Sequence, residues 1–135
     1  LQTLYVAAQL CPQNPFPALY LGITCLVYIR NSKKVENRHQ MVLMGYAFLF
    51  KYHKLRTNKE EANYNLARAF HQLRLHHHAI TYYQRVLQGI SEPPVKGQPP
   101  SRDYKPMAAY NLSRIYIASG ADALAQQLID RHLVF

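Results

Sequence analysis

Hydrophobic residues recur at helical spacing along most of this chain, whereas the alternation typical of strands is almost absent. Between residues 60 and 88 the apolar positions fall mostly at steps of three and four, which places them on one stripe of a helix. These positions are Leu66, Phe70, Leu73, Ala79, Ile80, Tyr83, Val86 and Leu87. The stripe changes phase between Arg74 and His77 without a Pro or Gly, so the pattern predicts two helices joined by a tight turn.

A second helical hairpin is predicted between Pro106 and Phe135, with its turn at Ser119 and Gly120. Residues 64–68, Tyr-Asn-Leu-Ala-Arg, align with residues 110–114, Tyr-Asn-Leu-Ser-Arg. In each copy an aromatic residue follows two positions after the arginine, and an alanine lies thirteen residues after the leucine. Partial copies at 7–14 and 19–22 indicate that the pattern begins before the first complete hairpin.

This pattern resembles the tetratricopeptide repeat, a unit of ~34 residues in which two antiparallel helices pack through small side chains. Gly22, Ala67 and Ser113 would be the small residues on the first helices, with Ala79 and Ala125 facing them from the second helices. The expected fold is therefore all-α: a right-handed superhelix of antiparallel helix pairs that forms the C-terminal end of a longer array.

The spacing of the repeats predicts five segments. Residues 1–14 would end a preceding repeat helix, 15–59 would be an aberrant helix pair, 60–88 and 106–135 would be repeats, and 89–105 would be a Pro-rich inserted loop. The second helix of the aberrant pair is expected at roughly 35–52, with its register left open. The chain ends in three apolar residues where a solenoid needs a polar cap, so this end is expected to be covered by another subunit or to fold back.

Composition adds a strong positive charge: sixteen Lys and Arg stand against seven Asp and Glu, for a formal net charge of +9. Such a balance favours an acidic partner, whether nucleic acid, an acidic protein surface or anionic lipid. Half of the basic residues lie within 30–59, where Glu36 is the single acid. This candidate basic patch comprises Arg30, Lys33, Lys34, Arg38, Lys51, Lys54, Arg56 and Lys59. Solvated helix ends would explain the same charges, and no motif for reading base edges accompanies them.

The repeated motif supplies a second candidate site. In a helical-repeat array the first helices line the concave face, where residues one turn apart point in the same direction. The candidate partner-binding residues are Tyr64, Asn65, Arg68, His71 and Gln72 on one helix, and Tyr110, Asn111 and Arg114 on the next. Paired Asn side chains can bind the backbone of a peptide, and paired Arg can hold a carboxylate. The same Asn residues could instead have a local structural role within the repeat.

Catalytic, metal and membrane functions find little support. The consecutive residues His76, His77 and His78 would point about 100° apart on a helix, so they cannot all bind one ion. The sequence has no Gly-rich phosphate loop, nucleophile elbow or pair of acid–base carboxylates, so we expect neither enzyme nor cofactor. The most apolar stretch, 18–29, is about 12 residues long, short of the ~20 that a membrane span requires. Cys11 and Cys25 are too few for a disulfide framework.

The order of these features is similar to that of one family, the tetratricopeptide subunit of the RNA polymerase III general transcription factor IIIC (TFIIIC). The resemblance lies in the run 64–87, in the Arg-His at 38–39 followed by Gly-Tyr-Ala-Phe-Leu at 45–49, and in the segment 109–120 after a Pro-containing insert. It covers roughly residues 12 to 135 and includes the unusual spacings as well as the common repeat positions.

The resemblance implies a nuclear, non-catalytic scaffold that helps to assemble the promoter-bound complex for transcription of tRNA and 5S rRNA genes. Its expected partners are other TFIIIC subunits and components of the initiation factor TFIIIB; contact with DNA would be indirect or nonspecific, and no membrane or small-molecule substrate is expected. Two other readings stay open: a peptide-binding adaptor like those of co-chaperones, although the lysines of a carboxylate clamp are missing, and a basic helical repeat that contacts nucleic acid.

Overall fold

The structure is a computed structural model that describes residues 2–34, 36–89, 96–97 and 102–133. Within these ranges the chain forms helices and no strand, so the expected all-α, helical-repeat fold is confirmed. The helices are α1 (Gln2–Leu10), α2 (Phe16–Asn31), α3 (Arg38–Leu55), α4 (Lys59–Gln72), α5 (His76–Gln88), α6 (Lys105–Ala118) and α7 (Asp122–His132). Most of the Pro-rich segment 89–105, and Val134 and Phe135 of the apolar chain end, lie outside the described residues. The chain divides into two compact units, residues 1–62 and 63–135.

In the first unit, α2 packs against α3 through two glycines. A Cβ atom built on Gly22 would lie 2.7 Å from the side chain of Leu49 and 2.9 Å from the carbonyl oxygen of Gly45. A Cβ atom on Gly45 would lie 2.8 Å from the Leu26 side chain. Two helices can approach this closely only where side chains are missing, so the glycines determine which faces of α2 and α3 meet. Leu49 and Tyr52 are fully buried in this contact region.

The helix α3 begins three residues later than the sequence indicated and also ends three residues later. Asn37 precedes it with a positive φ of 55°, a conformation that Asn tolerates better than most residues. At the other end Arg56 is extended, and its guanidinium lies 2.6 Å from a carboxylate oxygen of Glu61. The Asn58 side chain accepts a hydrogen bond of 3.1 Å from the Glu61 backbone N–H, an N-terminal cap that starts α4.

In the second unit the turns of the two hairpins match residue by residue. The N–H of Leu75 donates to the carbonyl of Phe70 at 2.9 Å, and 46 positions later the N–H of Ala121 donates to the carbonyl of Tyr116 at 2.8 Å. The residue before each donor has a positive φ, 61° at Arg74 and 81° at Gly120. This is the Schellman pattern that ends many helices, and Gly is the residue that adopts it without strain.

The core of the second unit holds the apolar stripe that the sequence indicated. Leu66, Phe70, Ala79, Tyr83 and Val86 are all buried. The ring of Phe70 packs on Tyr82, with centroids 5.6 Å apart. From α6 and α7, the side chains of Leu112, Ile115 and Ala125 are buried in the same unit.

Candidate functional site

A groove lies between α4 and α6 in the second unit, where the repeated motif brings equivalent residues side by side. It has a volume of about 550 Å³ and opens to solvent. Its lining consists of Tyr64, Arg68, Pro106, Met107, Tyr110, Asn111 and Leu133. The groove therefore combines an apolar floor with arginine and asparagine side chains.

The floor of the groove is fixed by Tyr64. This residue is buried, and its hydroxyl accepts a hydrogen bond of 3.2 Å from Nδ2 of Asn111. The Tyr64 ring lies 5.2 Å from that of Tyr104 and 6.2 Å from that of Tyr83. Because its aromatic contacts and the hydrogen bond that it accepts are made within the chain, Tyr64 supports the floor of the groove.

The rim of the groove is positively charged. Arg68 and Arg114 are exposed, and the Arg114 guanidinium lies 5.9 Å from the centre of the exposed Tyr110 ring. Helix α6 contains no Asp or Glu, and neither does α4 within the second unit. The rim can therefore attract carboxylates, since neither α6 nor the part of α4 from residue 63 onward carries an acidic side chain to compete.

The pKa directions in the neighbouring contact reflect this charge. His71 Nδ1 lies 3.2 Å from the hydroxyl oxygen of Tyr83. Burial lowers the pKa of His71, and the positive charges of His76 and Arg114 lower it further. Burial also raises the pKa of Tyr83, with a further rise from Tyr64, while Arg68 and Arg114 act in the opposite direction. Both groups are therefore predominantly neutral at pH 7, and Arg68 and Arg114 contribute positive charge near them.

The structure brings together part of the strip that the sequence indicated. Arg68, Tyr110 and Asn111 line the groove, with Tyr64 as its buried support. Asn65 is half-buried and Gln72 exposed, and neither is among the described residues that line the groove. The sequence did not indicate Pro106 and Met107, which the groove gains because α6 begins with the residues that follow the inserted loop.

The eight basic residues of the candidate patch fall into two groups. Arg30, Lys33, Lys34 and Arg38 are exposed around the connection between α2 and α3, whereas Lys51 and Lys54 are exposed near the far end of α3. With 18 residues, α3 is about 27 Å long, which keeps the two groups apart.

Several members of the patch make contacts within the chain; Arg38, for example, donates to the carbonyl oxygen of Ser32 at 3.4 Å. Arg56 pairs with Glu61 and lies 5.5 Å from the centre of the Phe16 ring. Lys59 donates to the backbone carbonyls of His53 and Lys54. Seven of the eight are nevertheless exposed, and Arg56 is half-buried.

Sequence reasoning missed an exposed apolar surface on α3. Leu43 is 69% exposed, and Met44 and Phe50 are each 49% exposed. The signal was present in the sequence: Leu43, Ala47 and Phe50 follow the i, i+4, i+7 spacing of one helix face. Because the opposite face of α3 is apolar too, the spacing alone did not distinguish the inside from the outside.

The described part of the chain forms neither a metal-binding cluster nor a membrane-spanning helix. Among the described residues, no three His, Cys, Asp or Glu side chains are grouped closely enough to hold a metal ion. None of the described helices is both long enough and apolar enough to cross a bilayer. Cys11 is exposed, whereas Cys25 is buried, and burial raises the pKa of its thiol.

Comparison with known proteins gives three similar sequences, and no protein-family model matches the chain. Transcription factor tau subunit sfc4 of Schizosaccharomyces pombe is 38% identical over 138 residues, covering 92% of this chain and 13% of that protein. General transcription factor 3C polypeptide 3 of Homo sapiens is 39% identical, covering 87% of this chain and 13% of that protein. Transcription factor tau 131 kDa subunit of Saccharomyces cerevisiae is 34% identical, covering 90% of this chain and 12% of that protein. The chain thus spans about an eighth of the length of these relatives.

Proposed function

We propose that this chain, which is homologous over about 90% of its length to a segment of TFIIIC subunits, is a non-catalytic scaffold segment of such a transcription factor. It acts in the nucleus by holding other TFIIIC subunits together at the promoters that RNA polymerase III uses, including those of tRNA and 5S rRNA genes. Components of TFIIIB are further partners of the assembly. Helical hairpins with exposed, chemically distinct surfaces suit this role, because repeat arrays bind partners along extended faces.

The α4–α6 groove is the observation on which this proposal rests. It presents exposed Arg68 above an apolar floor, with exposed Arg114 beside the lining residue Tyr110, and a peptide segment can use both features. A carboxylate of the partner pairs with a guanidinium, while an apolar side chain packs against Met107 and Tyr110. The part-buried Tyr64–Asn111 hydrogen bond keeps the floor rigid, which lowers the entropic cost of binding.

The test is a charge reversal in the groove. Arg68→Glu combined with Arg114→Glu in the full-length parent protein should reduce its copurification with the other subunits at least about tenfold. The reason is that attraction between each arginine and a carboxylate of the partner becomes repulsion between two carboxylates. A matched control reverses Arg85, on the outer side of α5, and Arg102, which precedes α6; both are exposed and lie outside the groove lining.

Equal copurification of the groove variant and the wild type would contradict a partner site in the groove. Circular dichroism of both variants checks that the helices remain folded. Loss of copurification in the control as well would point to total charge as the cause and would also contradict the proposal.

Direct contact with nucleic acid is the second candidate, favoured by the exposed residues Arg30, Lys33, Lys34 and Arg38. Such contact would be nonspecific, because phosphate attraction carries no sequence information. A salt titration with a duplex of arbitrary sequence tests it: phosphate contacts predict a steep loss of affinity as salt rises. Absence of binding at low salt would exclude this function.

A further inference from the structure

Helix α3 is apolar on two opposite faces. Its inner face, with Gly45, Leu49 and Tyr52, is buried within the first unit. Its outer face carries Leu43, Ala47 and Phe50, all of them exposed. A helix at the surface of a protein normally turns polar residues outward, so α3 departs from the usual arrangement.

The second helix of the next hairpin shows the usual arrangement. The outward residues of α5 are polar and exposed: His77, Thr81, Gln84, Arg85 and Gln88. Single exposed hydrophobic residues are ordinary, but a continuous stripe over successive turns marks an interaction surface. The outer stripe of α3, defined as Leu43, Met44, Tyr46, Ala47 and Phe50, extends over two turns.

The outer stripe also has a preformed aromatic element. The rings of Tyr46 and Phe50 are stacked, with centroids 6.3 Å apart and planes inclined by 23°. Because this pair is already ordered, a partner that packs on it loses little side-chain entropy on binding.

Positive charge continues the stripe at its C-terminal end. Lys51 follows Ala47 by four residues and Lys54 follows Phe50 by four, so both lie on the outer face, and His39 precedes Leu43 by four. His39, Lys51 and Lys54 are exposed, and α3 contains no Asp or Glu. A partner for this face must therefore be apolar along its middle and acidic beside it.

We infer that the outer stripe of α3 docks an acidic amphipathic helix of another protein, at a site separate from the α4–α6 groove. The apolar residues of that helix, at spacing i, i+3 or i+4, i+7, pack on Leu43 and Phe50, and its carboxylates pair with Lys51 and Lys54. Nucleic acid fits the lysines alone, because a phosphate backbone offers nothing apolar to cover the stripe. This site goes beyond the proposed function, which rests on the groove.

The first experiment uses a designed probe with the 135-residue chain. The probe is a fluorescein-labelled, stapled helix of 20 residues with Leu at i, i+3/i+4, i+7 spacing and Glu at the flanking positions, followed by fluorescence anisotropy. We expect saturable binding that weakens as salt rises. Two comparison probes carry Lys in place of Glu, or the same residues in an order without an apolar stripe, and each should bind at least about tenfold more weakly.

Variants locate the binding on α3. Leu43→Ser combined with Phe50→Ser should weaken binding about tenfold or more, and Lys51→Glu combined with Lys54→Glu should weaken it and remove most of its salt dependence. The matched control is Leu124→Ser on α7, which removes a leucine that is 48% exposed and should leave binding within about twofold. Thermal melts establish that each variant is folded.

Three results would overturn the inference. One is equal probe binding by the Leu43→Ser, Phe50→Ser variant and the wild type; another is an equal loss with Leu124→Ser. The third is displacement of the probe from α3 by a 20-base-pair duplex, or by vesicles of 30% phosphatidylserine, at lower concentrations than by the unlabelled acidic helix. The groove variant Arg68→Glu, Arg114→Glu should bind the probe normally. A wrong proposal about the groove can therefore be distinguished from a wrong inference about the outer stripe.

A second experiment uses the native complex. A photo-crosslinking amino acid at position 43 of the full-length parent, in the purified assembly, should join to an acidic helical segment of another subunit. A crosslink to DNA, to the same chain or to no protein at all would overturn the inference.

Discussion

The α2–α3 and α4–α5 hairpins hold two antiparallel helices together in different ways. In α2–α3 the contact depends on missing side chains, since Gly22 and Gly45 leave no room for a Cβ atom. In α4–α5 it depends on alanine and aromatic side chains, with Ala67 and Ala79 fully buried and Phe70 packed on Tyr82. The outer faces differ as well, because α3 is apolar there and α5 is polar.

The difference shows what specifies each hairpin. For α5 the contrast between apolar and polar positions decides which side faces inward. For α3 that contrast is weak, so the inward side is the one on which a glycine allows close approach. The outer face of α3 is exposed and takes no part in that close contact, so it can serve a partner.

The largest expected effect on stability comes from comparing the same leucine-to-alanine substitution on the two faces of α3. Leu49→Ala should reduce the free energy of unfolding by about 2–5 kcal/mol, because Leu49 is fully buried. Leu43→Ala removes the same atoms from a residue that is 69% exposed, so it should change the free energy of unfolding by less than about 0.5 kcal/mol. Denaturant titration of both variants measures the difference. Similar costs for the two substitutions would mean that the faces are not inner and outer.

The next largest effect concerns the close approach of the helices. Gly22→Ala should destabilise the chain by about 1–3 kcal/mol, although alanine favours helices, because its Cβ atom would meet the Leu49 side chain and the Gly45 carbonyl. The control Gly89→Ala, at the end of α5, should stay within about 0.5 kcal/mol. Hydrogen exchange of the α2 and α3 amides reports the loss locally.

The double variant Gly22→Ala, Leu49→Ala sharpens this result. It should cost less than the sum of its parts, because Leu49→Ala removes two of the atoms in the way. Strict additivity would show that a Cβ atom at position 22 does not clash with the Leu49 side chain.

A smaller effect of opposite sign is expected at the turn of α4–α5. Arg74→Gly should stabilise the chain by about 0.5–1 kcal/mol, because Arg74 holds a φ of 61° that glycine adopts without strain. The converse, Gly120→Ala at the matching turn of α6–α7, should destabilise it by about 1 kcal/mol. Thermal melts of the two variants should therefore shift in opposite directions, and shifts of the same sign would contradict the equivalence of the turns.

The smallest effect is a pH dependence of stability to which His71, in the α4–α5 hairpin, contributes. The pKa of His71 is lowered from its ordinary value of 6.5, so the folded state binds a proton less readily than the unfolded state. Stability from the neutral His71 is therefore complete above pH 6.5 and is lost as pH falls below that value. His71→Gln should flatten this part of the stability–pH curve, measured by urea titration between pH 5 and 7.5. An unchanged slope would assign the dependence to another histidine.

The sequence was sufficient to predict those parts of the fold that depend on a local pattern of residues. The stripe of the second unit and its turns could be predicted because residues 64–70 and 110–116 carry the same signals at matching positions. The register of α3 could not be predicted, because its two faces are similarly apolar. The contact that decides it is with Gly22, which lies in the preceding helix α2.

The candidate site was predictable to a similar extent. Arg68, Tyr110 and Asn111 follow from the repeat, which places equivalent positions next to each other. The burial of Tyr64 could not be predicted, because Tyr104, which packs on it, lies on the far side of the inserted loop. Long-range contacts of this kind leave no periodic signal in the sequence.

The two cysteines make the α2–α3 hairpin observable without any added probe site. Cys11 is exposed and will react readily with a thiol reagent, whereas Cys25 is 1% exposed and has a raised thiol pKa. Once Cys11 has been blocked, each further modification requires the α2–α3 contact to open. The rate of that slow reaction therefore reports how often the two helices separate. It can be measured by mass spectrometry in the free chain or in a complete assembly.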